Sequence, residues 1–336
     1  MRFSLGIPSR GLNDVGRDAA AAEAAGFELL RVGDMQSTTR DVYSSLTLIA
    51  DRTNSARIAP GVTNPVTRHP AVTAAAIASV DELSGGRAVL GIGAGDSAVR
   101  NLGLRPATRK QLTEYITSVR ELHQFGRSRH DGHEITLHWW DGKPIPVFIA
   151  AQGPAMLQLA GGLADGIIVG SGTSPIAVEY ALEQIEAGAS AVGRSLDEIE
   201  IWFLTYVNFD KTASMAADTV ASALAVAGNF VAGSRFADLI PDHLQPKFEI
   251  LKKQYAYSEH FKVGSETANA RLVRELGLLD FLASAFGLVG TESDIVSRLD
   301  ELKKLGVSNV WMSYAGADFE GFIEQWSGLA ARTPSA

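Results

Sequence analysis

Two acids, Asp34 and Asp96, stand where short apolar runs give way to turns, in Arg31-Val32-Gly33-Asp34 and Leu90-Gly91-Ile92-Gly93-Ala94-Gly95-Asp96. A carboxyl group held beside an apolar surface suits proton transfer near neutrality, because desolvation disfavours its charged form. The competing reading is structural: Asp96 caps a turn, and Asp34 pairs with a nearby arginine. The glycines of 86–96 are not a dinucleotide fingerprint. Gly91, Gly93 and Gly95 are two apart, Asp96 takes the sixth position, and the next helical stripe begins only near Thr108. Alternate glycines at a strand end strip side chains from one face. That admits a flat ring close to the backbone, or serves tight packing in a narrow barrel.

Other segments have the look of turns at strand ends. Residues 57–70 carry Pro60, Pro65 and Pro70, each holding its predecessor extended. Ala150-Ala151-Gln152-Gly153-Pro154 and Gly170-Ser171-Gly172-Thr173-Ser174-Pro175 each run into a helix that starts at proline. Such helix N-termini offer backbone N–H groups and the positive end of a dipole, fit for a phosphate or merely for a good cap. Arg100, Arg105, Arg109 and Lys110 follow the glycine motif; they could hold an acidic cofactor tail or form a solvated helix face. His130, His133 and His138 lie in the polar segment 129–140, which reads as a surface hairpin, with no acidic ligand pair beside them. A structural role is expected for them and for His69, and no metal site. Trp139, Trp140, Trp202 and Trp311 are expected in the core. No G-x-S-x-G elbow and no cysteine is present, which excludes a Cys nucleophile, disulfides and thiolate metal sites.

The elements that must position these residues alternate. Strand-like runs fall at 3–7, 28–32, 57–62, 88–92, 146–150, 166–169, 201–208 and 308–312. Between them lie helical stripes: Val72, Ala76, Val80 and Leu83; Leu112, Ile116, Val119 and Leu122; Val178, Leu182 and Ile185; Ile295, Leu299, Leu302 and Leu305; and Phe319, Phe322, Ile323 and Trp326. Thr291 to Asp294 reads as a capping box. Strict alternation implies parallel strands with crossover helices, in a closed (β/α)8 barrel or an open doubly wound sheet. Residues 210–285 break the rhythm and are expected to be a helical insertion between the seventh and eighth strands, over the barrel mouth. A length of 336 residues allows one large barrel or two ordinary domains.

The formal charge is −8, with no long run of one sign, which argues against nucleic-acid and anionic-membrane binding. The N-terminus lacks a signal-peptide core, and no stretch reaches the roughly 18 apolar residues of a membrane span. A cytoplasmic protein is expected.

Gly61-Val62-Thr63-Asn64-Pro65, Arg68-His69-Pro70, Asp81-Glu82-Leu83-Ser84-Gly85-Gly86-Arg87 and the motif from Leu90 to Asp96 together resemble the luciferase-like monooxygenase superfamily. The likeness is nearest to its deazaflavin-dependent branch, typified by methylenetetrahydromethanopterin reductase. It is dense over 3–125, recurs at 146–175 and 290–312, and is weak across 210–285. The resemblance implies a single-domain (β/α)8 barrel spanning 1–336, commonly a homodimer, with the cofactor at the strands' carboxyl ends. It implies a non-prolyl cis peptide at Gly61–Val62 backing the ring, with Thr63 and Asn64 following. It also implies ring contacts from Ala94, Gly95 and Asp96, and phosphate loops at Ala151, Gln152 and Gly153 and at Gly170, Ser171, Gly172 and Thr173. Asp34 matches an acidic active-site position. The family's Asp-His at the end of strand two is here Asp34-Met35, so the imidazole is missing from that place.

The expected activity is coenzyme F420-dependent hydride transfer to or from a small organic substrate, with a proton from Asp34 or Asp96. The alternatives are an FMN-dependent monooxygenase served by a separate flavin reductase, and a non-catalytic flavin-binding barrel.

Overall fold

In the computed structural model the described residues are 1–232, 239–260 and 262–332. Eight strands form the barrel: β1 (Arg2–Gly6), β2 (Leu29–Val32), β3 (Arg57–Pro60), β4 (Leu90–Ile92), β7 (Val147–Ala151), β8 (Gly166–Val169), β9 (Glu200–Phe209) and β11 (Asn309–Tyr314). They pair in parallel in the order β3-β2-β1-β11-β9-β8-β7-β4. Single bridges, Ile58 to Ala88 and Thr63 to Ile92, join β3 to β4 and close the ring. Five steps along one strand therefore face four along the other, which puts a one-residue bulge at Pro60-Gly61-Val62.

β5 (Arg127–His130) and β6 (His133–Thr136) form an antiparallel hairpin outside the barrel, where the polar segment suggested one. A ninth strand of the main sheet, β10 (Gly287–Gly290), was not expected from the sequence. It pairs with the upper half of β9, whereas β8 pairs with the lower half.

Helices α1 (Leu12–Ala24), α2 (Val42–Arg52), α3 (Pro70–Ser84), α4 (Ser97–Arg100), α5 (Arg109–Phe125), α6 (Pro154–Leu163) and α7 (Pro175–Ser190) follow the earlier strands. The stretch after β9 is helical: α8 (Ala213–Thr219), α9 (Ala221–Val231), α10 (Gln245–Gln254), α11 (Ala268–Glu275) and α12 (Leu279–Phe286). α13 (Glu292–Lys304) and α14 (Phe319–Arg332) complete the ring. α3 begins with Pro70 at its first turn and ends at Gly85 in the left-handed region (φ 70°), a position that favours glycine. α5 and α13 carry full capping boxes, Thr108 with Gln111 and Thr291 with Asp294. No single helix among the described residues is long and apolar enough to cross a membrane.

Three hydrophobic clusters divide the work. The largest lies between strands and outer helices and takes in the α5 stripe. A second ties α9 to α12 together over Tyr206. The third fills the barrel with Leu29, Ala59, Val89, Phe148, Ile168, Trp202 and Trp311, almost one side chain per strand.

The expected α3 stripe needs correction. Val72 and Leu83 are 56% and 51% exposed, and the buried face is instead Thr73, Ala74, Ile77, Ala78, Val80 and Asp81. Ile77 and Val80 pack inward among small residues, which lets α3 settle against α2 and α5, while Val72 and Leu83 stay outside. Trp139 is likewise half exposed rather than core.

Candidate active site

The carboxyl ends of β2, β3 and β4 meet around Asp34. Thr63 Oγ1 donates to Asp34 Oδ2 at 2.6 Å, and Arg68 Nη1 donates to the same oxygen. Asp34 is almost fully buried. Arg68 also lies 3.4 Å from Asp41 and above the Tyr43 ring. Burial opposes its charge, but the bond and charge of Asp34 outweigh that and raise the Arg68 pKa. The Arg68 carbonyl accepts from the Tyr115 hydroxyl, which also meets Thr73 Oγ1 at 2.6 Å. The acid at the end of β2 is thus braced by a partner that the sequence placed in the Arg68-His69-Pro70 turn.

The Gly61–Val62 peptide is cis, as the resemblance implies. Thr63 next to it bridges β4 through its N–H to Gly91 O and through its carbonyl to Gly93 N–H. Asn64 Oδ1 accepts from the N–H groups of Val66 and Thr67, fixing the turn. The glycines in and after β4 are held in close packing against the β3 turn and α4. A β-carbon at Gly91 would stand 2.2 Å from the Pro60 carbonyl, and one at Gly95 (φ +86°) 2.5 Å from Val99. At Gly93 the nearest atoms, on Val62 and Ala150, are 3.3 and 3.5 Å away, a tight fit that an added methyl would have to press into.

Ala94 anchors the turn through its carbonyl, which accepts from Ala107 N–H. Asp96 stands at the N-terminus of α4; its Oδ1 accepts from Arg100 Nε at 2.5 Å, while Oδ2 is buried without a hydrogen-bond partner. The second stretch of helices reaches this acid. Arg100 lies over the Tyr257 ring, Tyr257 stacks on His260, and the Tyr255 hydroxyl meets His260 Nδ1 at 2.8 Å. Burial lowers the His260 pKa, and Asp96 pulls it the other way. A cavity of about 680 Å³ opens here, lined by Ser37, Ser97, Arg100, Tyr257, His260 and Lys262. Sequence reasoning did not find Tyr255, Tyr257 or His260, which sit in the segment without a recognisable motif.

The two expected phosphate loops differ. Ala151 ends β7, and Gly153 precedes α6, whose N-terminus has no side-chain cap. The Gln152 side chain lies against Gly170, where a β-carbon would come within 2.8 Å of it. Beyond β8, Ser171 Oγ is buried without a partner beside Gly172 (φ +109°). Thr173 is already engaged, however, bonding through its N–H and hydroxyl to Ala285 O and accepting from Arg298. Ser174 caps α7 itself. Of the basic residues after the glycine motif, Arg100 faces the cavity; Arg105, Arg109 and Lys110 are exposed. His130 packs edge-on against His69. No group of side chains fit to hold a metal ion occurs among the described residues.

Residues 2–309 match the luciferase-like monooxygenase family. The chain belongs to that family. It is 34% identical over 295 residues to 5,10-methylenetetrahydromethanopterin reductase of Archaeoglobus fulgidus, covering 86% of each chain. It superimposes on the coenzyme F420-dependent tetrahydromethanopterin reductase of Methanopyrus kandleri with a TM-score of 0.77 and 26% identity, covering 98% of both chains. A type II Baeyer–Villiger monooxygenase from Pseudomonas putida, in complex with FMN, shares the fold at a TM-score of 0.65 and 16% identity, with 97% and 96% covered.

Proposed function

We propose that this family member is a coenzyme F420-dependent oxidoreductase of the methylenetetrahydromethanopterin reductase kind. The observation that carries the reading is the one-residue bulge at Pro60-Gly61-Val62 facing the glycine-rich end of β4, supported by the likeness to the two reductases over 86% and 98% of the chain. The residues present fit a flat ring with a phosphate-bearing tail. Gly91, Gly93 and Gly95 carry no side chains at the end of β4, Ser171 Oγ is a buried unpartnered hydroxyl, and the N-terminus of α6 has no side-chain cap. Gly61, Val62, Thr63, Asn64, Ala94 and Gly95 would border the ring. Ala151, Gln152, Gly153, Gly170, Ser171 and Gly172 would border the tail, with Thr173 shaping its loop.

When bound, the deazaflavin supplies a hydride donor or acceptor. The chain orients the reactants, excludes water under the helices that follow β9, and manages one proton. Of the two acids we favour Asp96 as the holder of that proton: its neighbours Ser97 and Arg100 line the cavity, and its buried Oδ2 has no hydrogen-bond partner, while Arg100 engages only Oδ1. Asp34 then acts by holding the turn. His260 and Tyr255 would face the substrate. A single-domain cytoplasmic homodimer completes the reading, with no nucleic acid or membrane as partner.

Titration of the purified protein with oxidised coenzyme F420 and with FMN, followed by fluorescence and absorbance, tests this. Tight binding of F420 and its reduction or oxidation by members of a panel that includes methylenetetrahydromethanopterin is expected. Tight FMN binding with oxygen consumption in the presence of a flavin reductase, and no F420 binding, would replace the proposal with the monooxygenase alternative.

A further inference from the structure

In the layer of the barrel just above its core most side chains are small, Leu204 of β9 being an exception beside Ala150 of β7. Strand alternation places Gly6, Gly61, Gly91 and Gly170 there, with Ser313 on β11. Into this gap runs one long charged side chain, Arg31 of β2, only 6% exposed. The glycines exist partly for it: a β-carbon on Gly61 would come within 2.6 Å of Arg31 Cδ, and one on Gly6 within 2.7 Å of Nη1. Nη2 donates to Met312 O at 2.6 Å and to Ser313 Oγ at 2.8 Å, and the guanidinium lies 4.7 Å from the centre of the Trp311 ring. Those contacts spread the charge but do not neutralise it. Nε is buried without a hydrogen bond, and Tyr206 is the one titratable group acting on Arg31 among the described residues. Burial pushes the guanidinium down to about 9, with Tyr206 working the other way, so the charge persists at neutral pH.

A buried cation with no counter-charge is costly, and the ordinary remedy is an anion in hydrogen-bonding reach. Guanidinium has a planar fork of donors that matches oxygen pairs. Arg31 sits one residue short of the carboxyl end of β2 and packs against Gly61 of the bulge.

We propose that Arg31 is an oxyanion-binding residue at the floor of the barrel mouth. The planar oxyanion has two possible sources: a carboxylate of the organic substrate, or the imide edge of the deazaflavin. The second source rests on the function proposed above. A ring that accepts a hydride gains two electrons and one hydrogen from the substrate, which is oxidised by the same amount. Without proton uptake the ring's charge falls by one, and Arg31 would hold that charge.

The test compares the wild-type full chain with Arg31→Met and Arg31→Lys. One arm follows thermal stabilisation by sodium formate and sodium benzoate against sodium chloride at equal ionic strength. The other measures the affinity for oxidised and reduced coenzyme F420 by fluorescence titration. If the substrate is the source, the carboxylates stabilise the wild type more than chloride does, and Arg31→Met weakens their binding at least tenfold. If the ring is the source, Arg31→Met lowers the preference for reduced over oxidised cofactor at least tenfold, with Arg31→Lys between. Wild-type protein indifferent to carboxylates, together with an unchanged cofactor preference in both variants, overturns the proposal. Should Arg31→Met fail to fold, Arg31→Lys and the wild-type carboxylate response still decide. Absence of F420 binding to the wild type would defeat the proposed function and leave the carboxylate arm to judge Arg31.

Discussion

Replacing Asp34 by Asn separates bracing from proton transfer, because both of its donors converge on one oxygen. Thr63 Oγ1 and Arg68 Nη1 each donate to Asp34 Oδ2. An asparagine can keep its carbonyl oxygen in that place, so the geometry survives and only the charge is lost. Hydrogen bonds to a charged acceptor are worth about 1.5–3 kcal/mol each, roughly twice a neutral one. Neutralising the acceptor for two of them removes about 2–3 kcal/mol. Arg68 is not left stranded, since its side chain is 19% exposed and Asp41 stands at 3.4 Å. That relief reduces the expected loss to about 2 kcal/mol. Urea denaturation of Asp34→Asn, Arg68→Met and the double variant should show this loss and a coupling energy of about 1–2 kcal/mol between the two positions. Cofactor affinity should fall along with stability, because the braced turn carries Thr63. An Asp34→Asn protein within about 0.5 kcal/mol of wild type, yet inactive, would refute the bracing argument and return Asp34 to proton transfer.

Three further outcomes follow from the same geometry. Asp96→Asn should lower turnover about 100-fold or more at unchanged cofactor affinity, measured by steady-state kinetics beside an F420 titration. Gly188→Ala should destabilise the fold by at least about 2 kcal/mol on chemical denaturation, since a β-carbon there would lie 1.9 Å from the Gln158 carbonyl between α6 and α7. Burial lowers the pKa of both His123 and His260. Below the ordinary histidine pKa of about 6.5 the unfolded chain takes up protons that the folded chain refuses, so stability present above that pH is lost as pH falls through the folded values. Denaturation at pH 7.5 and 5.5 measures it, and His123→Gln should flatten the difference.

Much of the fold was legible because the strand runs are bounded by turn residues and most are followed by helices with apolar stripes. The α5 stripe and the Thr291–Asp294 capping box emerge as read, whereas the box formed by Thr108 and Gln111 was not anticipated. α3 misled because its inward face runs through Thr73, Ile77 and Val80, so that Val72 and Leu83 fall outside it. β10 escaped because Gly-Leu-Val-Gly is too short to stand out behind α12. At the site, the Gly61–Val62 turn and the glycine motif could be placed from local spacing. Tyr255 and His260 could not, because what brings them to Asp96 is the packing of helices distant in sequence. Arg31 was visible but its direction was not. Strands covered on both faces show no clean alternation, so nothing in Leu29-Leu30-Arg31-Val32 reveals which side chain points into the barrel.

The ten residues of β9 are shared property. Its first half, with Trp202, belongs to the barrel interior; its second half carries Tyr206 into the helical cluster and pairs with β10. Thr205 at the midpoint is tied to the carbonyl of Phe286. Transplanting the upper helices from one relative to another, as an engineer seeking new substrates would try, therefore cannot begin at the loop after Phe209. The graft has to start inside the strand, near Thr205, and bring β10 with it, or donor and recipient will disagree over a shared beam.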